Sequence, residues 1–307
     1  MRPYQVVLGS GGVLGDTWMS SLIAGLLDAG GPDLRLADRF VGTSAGSIVA
    51  TRLAAGEDLR SYLERRFEVS GGEASDDRSF SGGAGGAEPG IGCGPFSAPA
   101  ARLLRVTGPA GRLVRRAVLK AVPDGGEELS RLGLTIDRLM PAWDPRLSLV
   151  GVNVDGGARV LISGEDDLGL SVSEAVRASC AIPGVFRPVP SDRGPIVDGG
   201  VWSPVNLDAV TPPSGSNVIC LYPSGYRSGS RSRRKQAVAR FSRTRVALEA
   251  ATLRGRGARV VAVTPDPAAA EAIGPDRMDH ERDRPVASAG YSQGLSLAAG
   301  LNDWLGS

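Results

Sequence analysis

Apolar residues follow two periodicities along this chain, and each predicts one type of element. The apolar run Tyr4–Leu8 is typical of a buried strand, and a helical pattern follows it over residues 18–27. Residues 40–41 form a second strand pattern, which precedes a helical pattern over residues 47–54. The amino-terminal region therefore predicts two successive strand–turn–helix units.

The rest of the chain repeats this alternation after residue 130. Its strand patterns lie at residues 148–152, 158–162, 195–197, 217–222 and 259–263. Helical patterns lie at residues 171–179, between the last two strand patterns and after Pro267 and Pro285. Strands that alternate with helices favour parallel pairing, with helices covering both faces of the sheet. We therefore expect an α/β fold with three α/β/α layers around a mostly parallel central sheet.

Residues 70–130 interrupt this pattern. Residues 70–95 are rich in Gly, Ser and Ala, a composition that buries too little apolar surface to order a segment, so we expect a mobile loop. Residues 102–120 interleave leucine and valine with arginine and lysine, which predicts a basic helix that either caps a site or lies on a membrane surface. We expect a single domain over residues 1–307 with this region as a variable loop and helix cap.

Composition narrows the function classes. The chain has 307 residues, of which 42% are hydrophobic, and no apolar run approaches the roughly 20 residues that a membrane-spanning helix needs. The formal net charge is only +2 and aromatic residues make up 5%, so neither charge nor composition favours a nucleic-acid partner. Cys93, Cys180 and Cys220 lack the spacing of a zinc site or a disulfide framework. Without a secretory pattern at the amino terminus, we expect a cytoplasmic protein.

A candidate nucleophile lies in the second strand–turn–helix unit. Gly42-Thr43-Ser44-Ala45-Gly46 has the form G-x-S-x-G, and in this context a sharp turn presents a serine hydroxyl beside helix-terminal N–H groups. Gly42 and Gly46 permit such a turn. An ordinary tight turn in which Ser44 is a helix N-cap remains the alternative.

A glycine-rich turn occupies residues 9–15 of the first unit. Its backbone N–H groups are suited to an oxyanion or a phosphate, and the alternative is a tight turn without a ligand. Leu14 stands where the dinucleotide-binding fingerprint requires a third glycine. Asp16 and Thr17 follow Gly15 where a P-loop requires lysine and then serine or threonine. An oxyanion-binding loop is therefore the functional interpretation that remains for residues 9–15.

A serine nucleophile needs a proton acceptor, and a carboxylate is the better candidate. His280 is the only histidine, and it lies in the charged run 279–284, which is typical of a solvated surface loop. The order Ser44, Asp198, His280 resembles an α/β-hydrolase triad, but too few strand units precede Ser44 for that fold. Asp198 follows an apolar strand and precedes Gly199 and Gly200, so we expect it at the carboxyl ends of the strands. A plain Asp-Gly turn is the alternative.

Together these segments resemble the patatin-like phospholipases, lipid acyl hydrolases with a Ser-Asp dyad. Residues 9–15 resemble the family's oxyanion loop, residues 42–46 its nucleophile elbow and residues 198–200 its D-G-G motif, in the same order. Residues 177–186 resemble the stretch that precedes the catalytic aspartate in bacterial members. The match covers most of the chain and implies a patatin-like fold.

The resemblance also implies a mechanism. Ser44 would attack a lipid or ester carbonyl, Asp198 would accept its proton, and an acyl-enzyme would then be cleaved by water. Backbone N–H groups of Gly11, Gly12 and Val13 would bind the oxyanion, and neither a metal nor an organic cofactor is required. An acyltransferase that uses the same acyl-enzyme is the first alternative.

One position departs from the family pattern, because Leu14 replaces the arginine that usually ends the oxyanion loop. The backbone donors survive this change, but a nearby positive charge is lost. The departure motivates a second alternative, a catalytically silent lipid-binding or regulatory protein.

A basic run without an intervening acid lies at residues 227–245. It includes Arg231, Arg233, Arg234 and Lys235. One hypothesis is peripheral contact with anionic membranes, and the alternative is an ordinary solvated helix face.

Overall fold

The computed structural model describes residues 3–68, 108–126, 128–225 and 233–307, although the side chains of 108–110 and 233–242 lie outside that description. The strands are β1 (Tyr4–Leu8), β2 (Arg39–Thr43), β3 (Leu147–Asn153), β4 (Ala158–Ile162), β5 (Ile196–Asp198), β6 (Asn217–Leu221) and β7 (Arg259–Val263). The helices are α1 (Gly12–Asp28), α2 (Ala45–Ala54), α3 (Leu59–Glu68), α4 (Gly108–Ala121), α5 (Ser130–Leu139), α6 (Val172–Cys180), α7 (Arg233–Gly255), α8 (Pro267–Ile273) and α9 (Asp283–Gly306). Each strand pattern of the sequence coincides with one of these strands to within about two residues, the usual precision of element ends.

The strands form one sheet in the order β4-β3-β2-β1-β6-β7, with β5 paired to β3 outside this path. Strands β3, β2, β1, β6 and β7 run parallel to one another. Strands β4 and β5 run antiparallel to β3. The expectation of a mostly parallel central sheet is confirmed.

The two faces of the sheet bury different helices. Val6 and Leu8 of β1 pack in a cluster with apolar side chains of α1, α2, α6 and α9. Val7 points to the other face, where it packs with Val41 and with α7 residues such as Leu253. Because successive side chains of a strand point to opposite faces, the consecutive apolar residues Val6, Val7 and Leu8 of β1 need a helical layer on each side. The three-layer α/β/α architecture is confirmed.

The direction of β5 is a feature that the sequence did not predict. Asp198 was expected at the carboxyl ends of the strands, and it is the last residue of β5, which runs antiparallel to β3. Strand β2 pairs with β3 as far as Thr43 opposite Val150, and β5 continues along the same edge of β3, with Asp198 opposite Gly151. The carboxyl ends of β2 and β5 therefore converge from opposite directions.

The region between α3 and α5 is described in part. The expected mobile loop at residues 70–95 lies outside the described residues, as does the start of the predicted basic helix. Helix α4 contains the remainder of that helix, with Leu119 buried and Leu113 exposed. Arg115 of α4 is buried, and its guanidinium carbon lies 4.2 Å from the centre of a Trp202 ring. The single-domain assignment for residues 1–307 stays a prediction.

Candidate active site

The turn between β2 and α2 holds Ser44 in a strained backbone conformation. Ser44 has φ 54° and ψ −125°, and a non-glycine residue with positive φ is uncommon outside functional turns. Gly46 lets this turn approach β1, because a Cβ at that position would lie 2.0 Å from the Leu8 carbonyl oxygen. Gly42 approaches the same turn closely, since its Cβ would lie 2.5 Å from the Ser47 Cα. Residues 42–46 therefore form the sharp strand-to-helix turn that the sequence predicts.

Ser44 occupies the N-cap position of α2, but its side chain does not cap the helix. No cap hydrogen bond is made by the side chain, and the hydroxyl instead interacts with the Asp198 carboxyl, whose pKa it lowers. Both residues are only 5% exposed. The N-cap interpretation thus describes the position of Ser44 in the chain, whereas the hydroxyl is directed to an acid from another part of the fold.

The Asp198 carboxyl is a stronger base than an ordinary aspartate. Burial raises its pKa from 3.8 to about 6, against the opposing effects of hydrogen bonds from the Gly200 N–H and the Ser44 hydroxyl. The Gly200 N–H donates to Oδ1 at 2.6 Å, so the Asp-Gly turn predicted as the alternative is present as well. Gly199 starts this turn, which orients the carboxylate.

Residues 9–15 place several backbone donors at the start of α1. Helix α1 begins at Gly12, and the N–H groups at a helix start have no partner within the helix. Among the described residues, we find no hydrogen-bond acceptor for the N–H groups of Gly11, Gly12 and Val13, whereas the next one, of Leu14, donates to the Arg277 carbonyl oxygen at 3.0 Å. These three groups, with the positive end of the helix dipole, suit an oxyanion.

The three segments lie side by side. A Cβ on Gly15 would lie 3.9 Å from the Ala45 Cβ, so the glycine-rich loop borders the residue that follows Ser44. A Cβ on Gly200 would lie 3.7 Å from the Ser10 hydroxyl oxygen, so the same loop borders the Asp198 turn. The structure thus brings together every residue that the sequence proposed for the site.

A residue without an assigned role in the sequence analysis also contacts the elbow. The Ser179 hydroxyl of α6 accepts a hydrogen bond from the Ser44 N–H at 3.0 Å and donates one to the Val150 carbonyl oxygen at 2.7 Å. Ser179 lies in the 177–186 stretch that resembles patatin-like phospholipases. That resemblance was the only sequence signal for it, because a lone serine in a helix pattern predicts no contact.

Charged side chains behind the loop are paired with one another. Asp16 accepts hydrogen bonds from Arg52 of α2 at 2.6 Å and Arg66 of α3 at 3.3 Å. Both Asp16 and Arg52 have side-chain exposures below 5%. Burial alone would lower the Arg52 pKa, but neighbouring negative charge, led by Asp16, raises it. This ion pair connects the first turn of α1 to the helix that follows Ser44.

Two other residues from the sequence analysis supply no charged group to this site, because His280 lies on the surface and Leu14 is apolar. His280 is partly exposed, with Nδ1 3.6 Å from the Asp283 carboxylate, as expected for a surface histidine. Leu14 is fully buried.

Burial raises the pKa of the Cys180 and Cys220 thiols, so neither resembles a reactive thiolate. Among the described residues, no cluster of His, Cys, Asp and Glu could hold a metal ion. No helix in the same residues is long and apolar enough to span a membrane.

Comparison with known protein families gives a match to this arrangement. The model of the Patatin family, described as patatin-like phospholipase, matches residues 6–211. That range contains the glycine-rich loop, Ser44, Ser179 and Asp198. No curated protein sequence matches the chain.

Comparison with solved structures gives alignments at low sequence identity. VipD from Legionella pneumophila aligns with a TM-score of 0.44 and 14% identity over 97% of this chain and 67% of its own. The type III effector ExoU aligns with a TM-score of 0.38 and 14% identity over 98% of this chain and 53% of its own. Full-length ExoU in complex with SpcU, from Pseudomonas aeruginosa, aligns with a TM-score of 0.34 and 16% identity over 96% of this chain and 53% of its own. The chain thus spans about two thirds of the first structure and about half of the others.

Proposed function

Because this chain belongs to the patatin-like phospholipase family, we propose that it is a serine acyl hydrolase that cleaves carboxylic ester bonds of lipids. Ser44 is the nucleophile, Asp198 is the base, and the N–H groups of Gly11, Gly12 and Val13 form the oxyanion hole. One observation carries the proposal. The Ser44 hydroxyl lies on a strained, buried turn and interacts with the buried Asp198 carboxyl, whose pKa is raised to about 6.

The first step transfers an acyl group to the enzyme. Ser44 Oγ bonds to the ester carbonyl carbon while its proton moves to Asp198, and the carbonyl oxygen becomes an oxyanion held by backbone N–H groups. When this intermediate collapses, the bond to the leaving alcohol breaks and the alcohol takes the proton from Asp198. Water then attacks the acyl-enzyme, Asp198 accepts its proton, and the acid product leaves as Ser44 recovers a proton.

The environment of Asp198 suits this role. A general base works best when its pKa lies near the operating pH, and an ordinary aspartate would be too weak a base at neutral pH. Burial brings the Asp198 pKa to about 6, although the interaction with the Ser44 hydroxyl lowers it. Since the positive φ of Ser44 is held by tertiary contacts, the hydroxyl is positioned before any substrate binds.

The test uses a serine-directed fluorophosphonate probe and a series of esters of increasing chain length. We expect the wild type to be labelled and to hydrolyse at least one ester, Ser44→Ala to lose both properties, and Asp198→Asn to lose most turnover. Ser61→Ala in α3 is the control and should behave as the wild type, because Ser61 hydrogen-bonds only to Asp58. A folded wild type that is unlabelled and inert on every ester contradicts the proposal and favours the silent lipid-binding alternative.

The same experiment distinguishes a hydrolase from an acyltransferase. Both pass through an acyl-enzyme, so the difference is whether water or an alcohol attacks it. Product analysis in the presence of a lysolipid acceptor separates the two. Free fatty acid as the main product supports hydrolysis, and a newly acylated lysolipid supports transfer.

We also propose that the basic run at residues 227–245 contacts anionic membranes through Arg231, Arg233, Arg234 and Lys235. Arg245 is not part of this surface, since it pairs with Glu249 at 2.9 Å and its side chain is 12% exposed. Clustered basic residues near an anionic surface each contribute about 1 kcal/mol, and salt screens this attraction. Sedimentation with anionic vesicles should therefore decrease when Arg233, Arg234 and Lys235 are replaced by alanine or when salt is raised. Equal, salt-insensitive binding to anionic and neutral vesicles contradicts the proposal.

A further inference from the structure

The segment that follows α8 lies against the glycine-rich loop of the candidate active site. The Arg277 carbonyl oxygen accepts the Leu14 N–H at 3.0 Å. A Cβ on Gly12 would lie 2.9 Å from the Met278 sulfur and 3.3 Å from the Arg277 Cβ. Arg277 and Met278 therefore border the loop at Gly12, one of the three proposed oxyanion donors.

The Arg277 side chain is tied to the other end of the same loop. Its Nη1 donates a hydrogen bond to the Ser224 hydroxyl oxygen at 2.5 Å. Ser224 Oγ in turn donates to the Ser10 carbonyl oxygen at 2.9 Å. The guanidinium is thus linked through Ser224 to the Ser10 end of the loop, while the Arg277 backbone borders Gly12.

The positive charge of Arg277 is available to a ligand. The residue is exposed, and within the described part of the chain no acidic side chain forms an ion pair with it. Arg282 in the same segment differs, because it pairs with Asp279 and donates to the Glu271 and Ala272 carbonyl oxygens. A guanidinium that keeps free donors next to a reaction site is suited to bidentate recognition of phosphate.

We infer that Arg277 binds the phosphodiester of a glycerophospholipid substrate while the adjacent ester carbonyl lies at Gly11, Gly12 and Val13. This inference rests on the proposed function and assigns it a further substrate-binding residue. In a glycerophospholipid the phosphate is only a few bonds from the ester, so a cation that borders the oxyanion donors is within reach of it. Met278, which is 36% exposed, offers an apolar contact beside the charge, as an amphiphilic substrate requires.

The test compares two soluble esters that carry the same acyl chains, dihexanoylphosphatidylcholine and dihexanoylglycerol. Only the first contains a phosphate. We expect Arg277→Gln to lower the ratio of kcat/KM for the phospholipid to that for the neutral ester by about tenfold to a hundredfold, mainly through a higher KM, because a hydrogen bond to a charged group is lost. Arg277→Lys should recover part of the ratio, since it keeps the charge without the planar fork.

A matched control is Arg256→Gln. Arg256 is exposed and lies just before β7, at the edge of the sheet opposite the carboxyl ends of the parallel strands. For Arg256→Gln, the ratio of kcat/KM for the phospholipid to that for the neutral ester should equal the wild-type ratio. An unchanged ratio in Arg277→Gln, or an equal loss of kcat on both esters, overturns the inference, and the second result would indicate that Arg277 acts on the loop itself.

A binding measurement separates this inference from the proposed function. In the Ser44→Ala background, calorimetric titration with dihexanoylphosphatidylcholine should give weaker binding when Arg277→Gln is added. A wild type that is unlabelled by the fluorophosphonate and hydrolyses no ester contradicts the proposed function, whereas the titration still tests Arg277 directly. Equal affinity of the Ser44→Ala protein with and without Arg277→Gln overturns the inference whatever the activity.

Discussion

The backbone N–H of Ser44 donates a hydrogen bond to the hydroxyl oxygen of Ser179 at 3.0 Å. The same hydroxyl donates to the Val150 carbonyl oxygen at 2.7 Å, so Ser179 links the strained turn to strand β3. Because an unpaired buried N–H is costly, this bond stabilises a positive φ that Ser44 would otherwise avoid. Ser179 therefore fixes the turn of the proposed nucleophile relative to β3, the strand with which the Asp198 strand β5 pairs.

Replacement of Ser179 should impair the positioning of the Ser44 hydroxyl more than the binding of the ester substrate. In Ser179→Ala the Ser44 N–H and the Val150 oxygen lose their partner, which costs about 1–3 kcal/mol. We expect kcat and the rate of fluorophosphonate labelling to fall about tenfold to a hundredfold, with KM for esters little changed.

Two further variants distinguish positioning from a general loss of stability. Ser179→Cys should give an intermediate rate, because a thiol is a weaker donor and acceptor. Ser173→Ala, at the other end of α6, should behave as the wild type, because the Ser173 hydroxyl contacts only that of Ser171. If Ser179→Ala keeps its labelling rate, the link to the nucleophile has no positioning role.

The raised pKa of Asp198 predicts the pH dependence of turnover. The base must be deprotonated to accept the Ser44 proton, and its pKa lies near 6 because the carboxyl is buried. The wild-type kcat/KM should therefore fall about tenfold for each pH unit below this value and level off above it. Circular dichroism at each pH controls for unfolding. A limb near pH 4 would contradict the raised pKa of Asp198, because an ordinary aspartate titrates there.

The same burial predicts that Asp198 destabilises the fold at neutral pH. Between its unfolded pKa of 3.8 and its folded pKa of about 6, the folded state binds the proton more tightly, so stability decreases as pH rises through this window. With about 1.4 kcal/mol for each pKa unit, the loss is on the order of 3 kcal/mol. Asp198→Asn removes the titration, so its advantage over the wild type in urea unfolding should increase from pH 4 to pH 7.

Asp144 provides a control, because its contribution to stability should change with pH in the opposite direction. Its pKa is lowered, chiefly by the hydrogen bond from Arg146, so it contributes stability at neutral pH that is lost as pH falls. Asp144→Asn should therefore be less stable than the wild type at pH 7, with a smaller difference at low pH. An advantage of Asp198→Asn that is independent of pH contradicts the assignment of a raised pKa.

The buried ion pair behind the loop predicts a large effect on stability. Arg52 and Asp16 are 2.6 Å apart, and the guanidinium lies 3.8 Å from the centre of the Tyr62 ring. Removal of Arg52 leaves the buried Asp16 carboxylate with only the longer ion pair to Arg66 at 3.3 Å, so Arg52→Met should lower the free energy of unfolding by up to roughly 3–5 kcal/mol. Urea unfolding of the wild type and of Arg52→Met measures this difference in the free energy of unfolding.

Arg65 supplies the matched control for that variant. It pairs with Glu57 at 2.9 Å on the same side of the molecule, but its side chain is 59% exposed. Arg65→Met should cost less than about 1 kcal/mol, because exposed ion pairs contribute little. Equal losses in the two variants would mean that the Asp16 carboxylate is solvated in solution.

Local sequence patterns determined the elements and the chemical candidates of this protein. The apolar run Tyr4–Leu8 became β1, and residues 158–162 and 259–263 became β4 and β7, since strand and helix periodicities are set by backbone geometry. The glycine-rich loop and the G-x-S-x-G turn were recognisable for the same reason. Each depends on small residues at fixed spacing within one short segment.

Tertiary structure alone decided how these candidates meet. The direction of β5 could not be predicted from a three-residue strand, and only the sheet register places Asp198 opposite Gly151, next to the Thr43–Val150 pair that precedes Ser44. The burial that raises the Asp198 pKa and the contacts of Ser179 and Arg277 likewise depend on segments distant in sequence. Local periodicity therefore determined which groups are present, whereas strand pairing and packing determined their distances, their solvation and hence their chemistry.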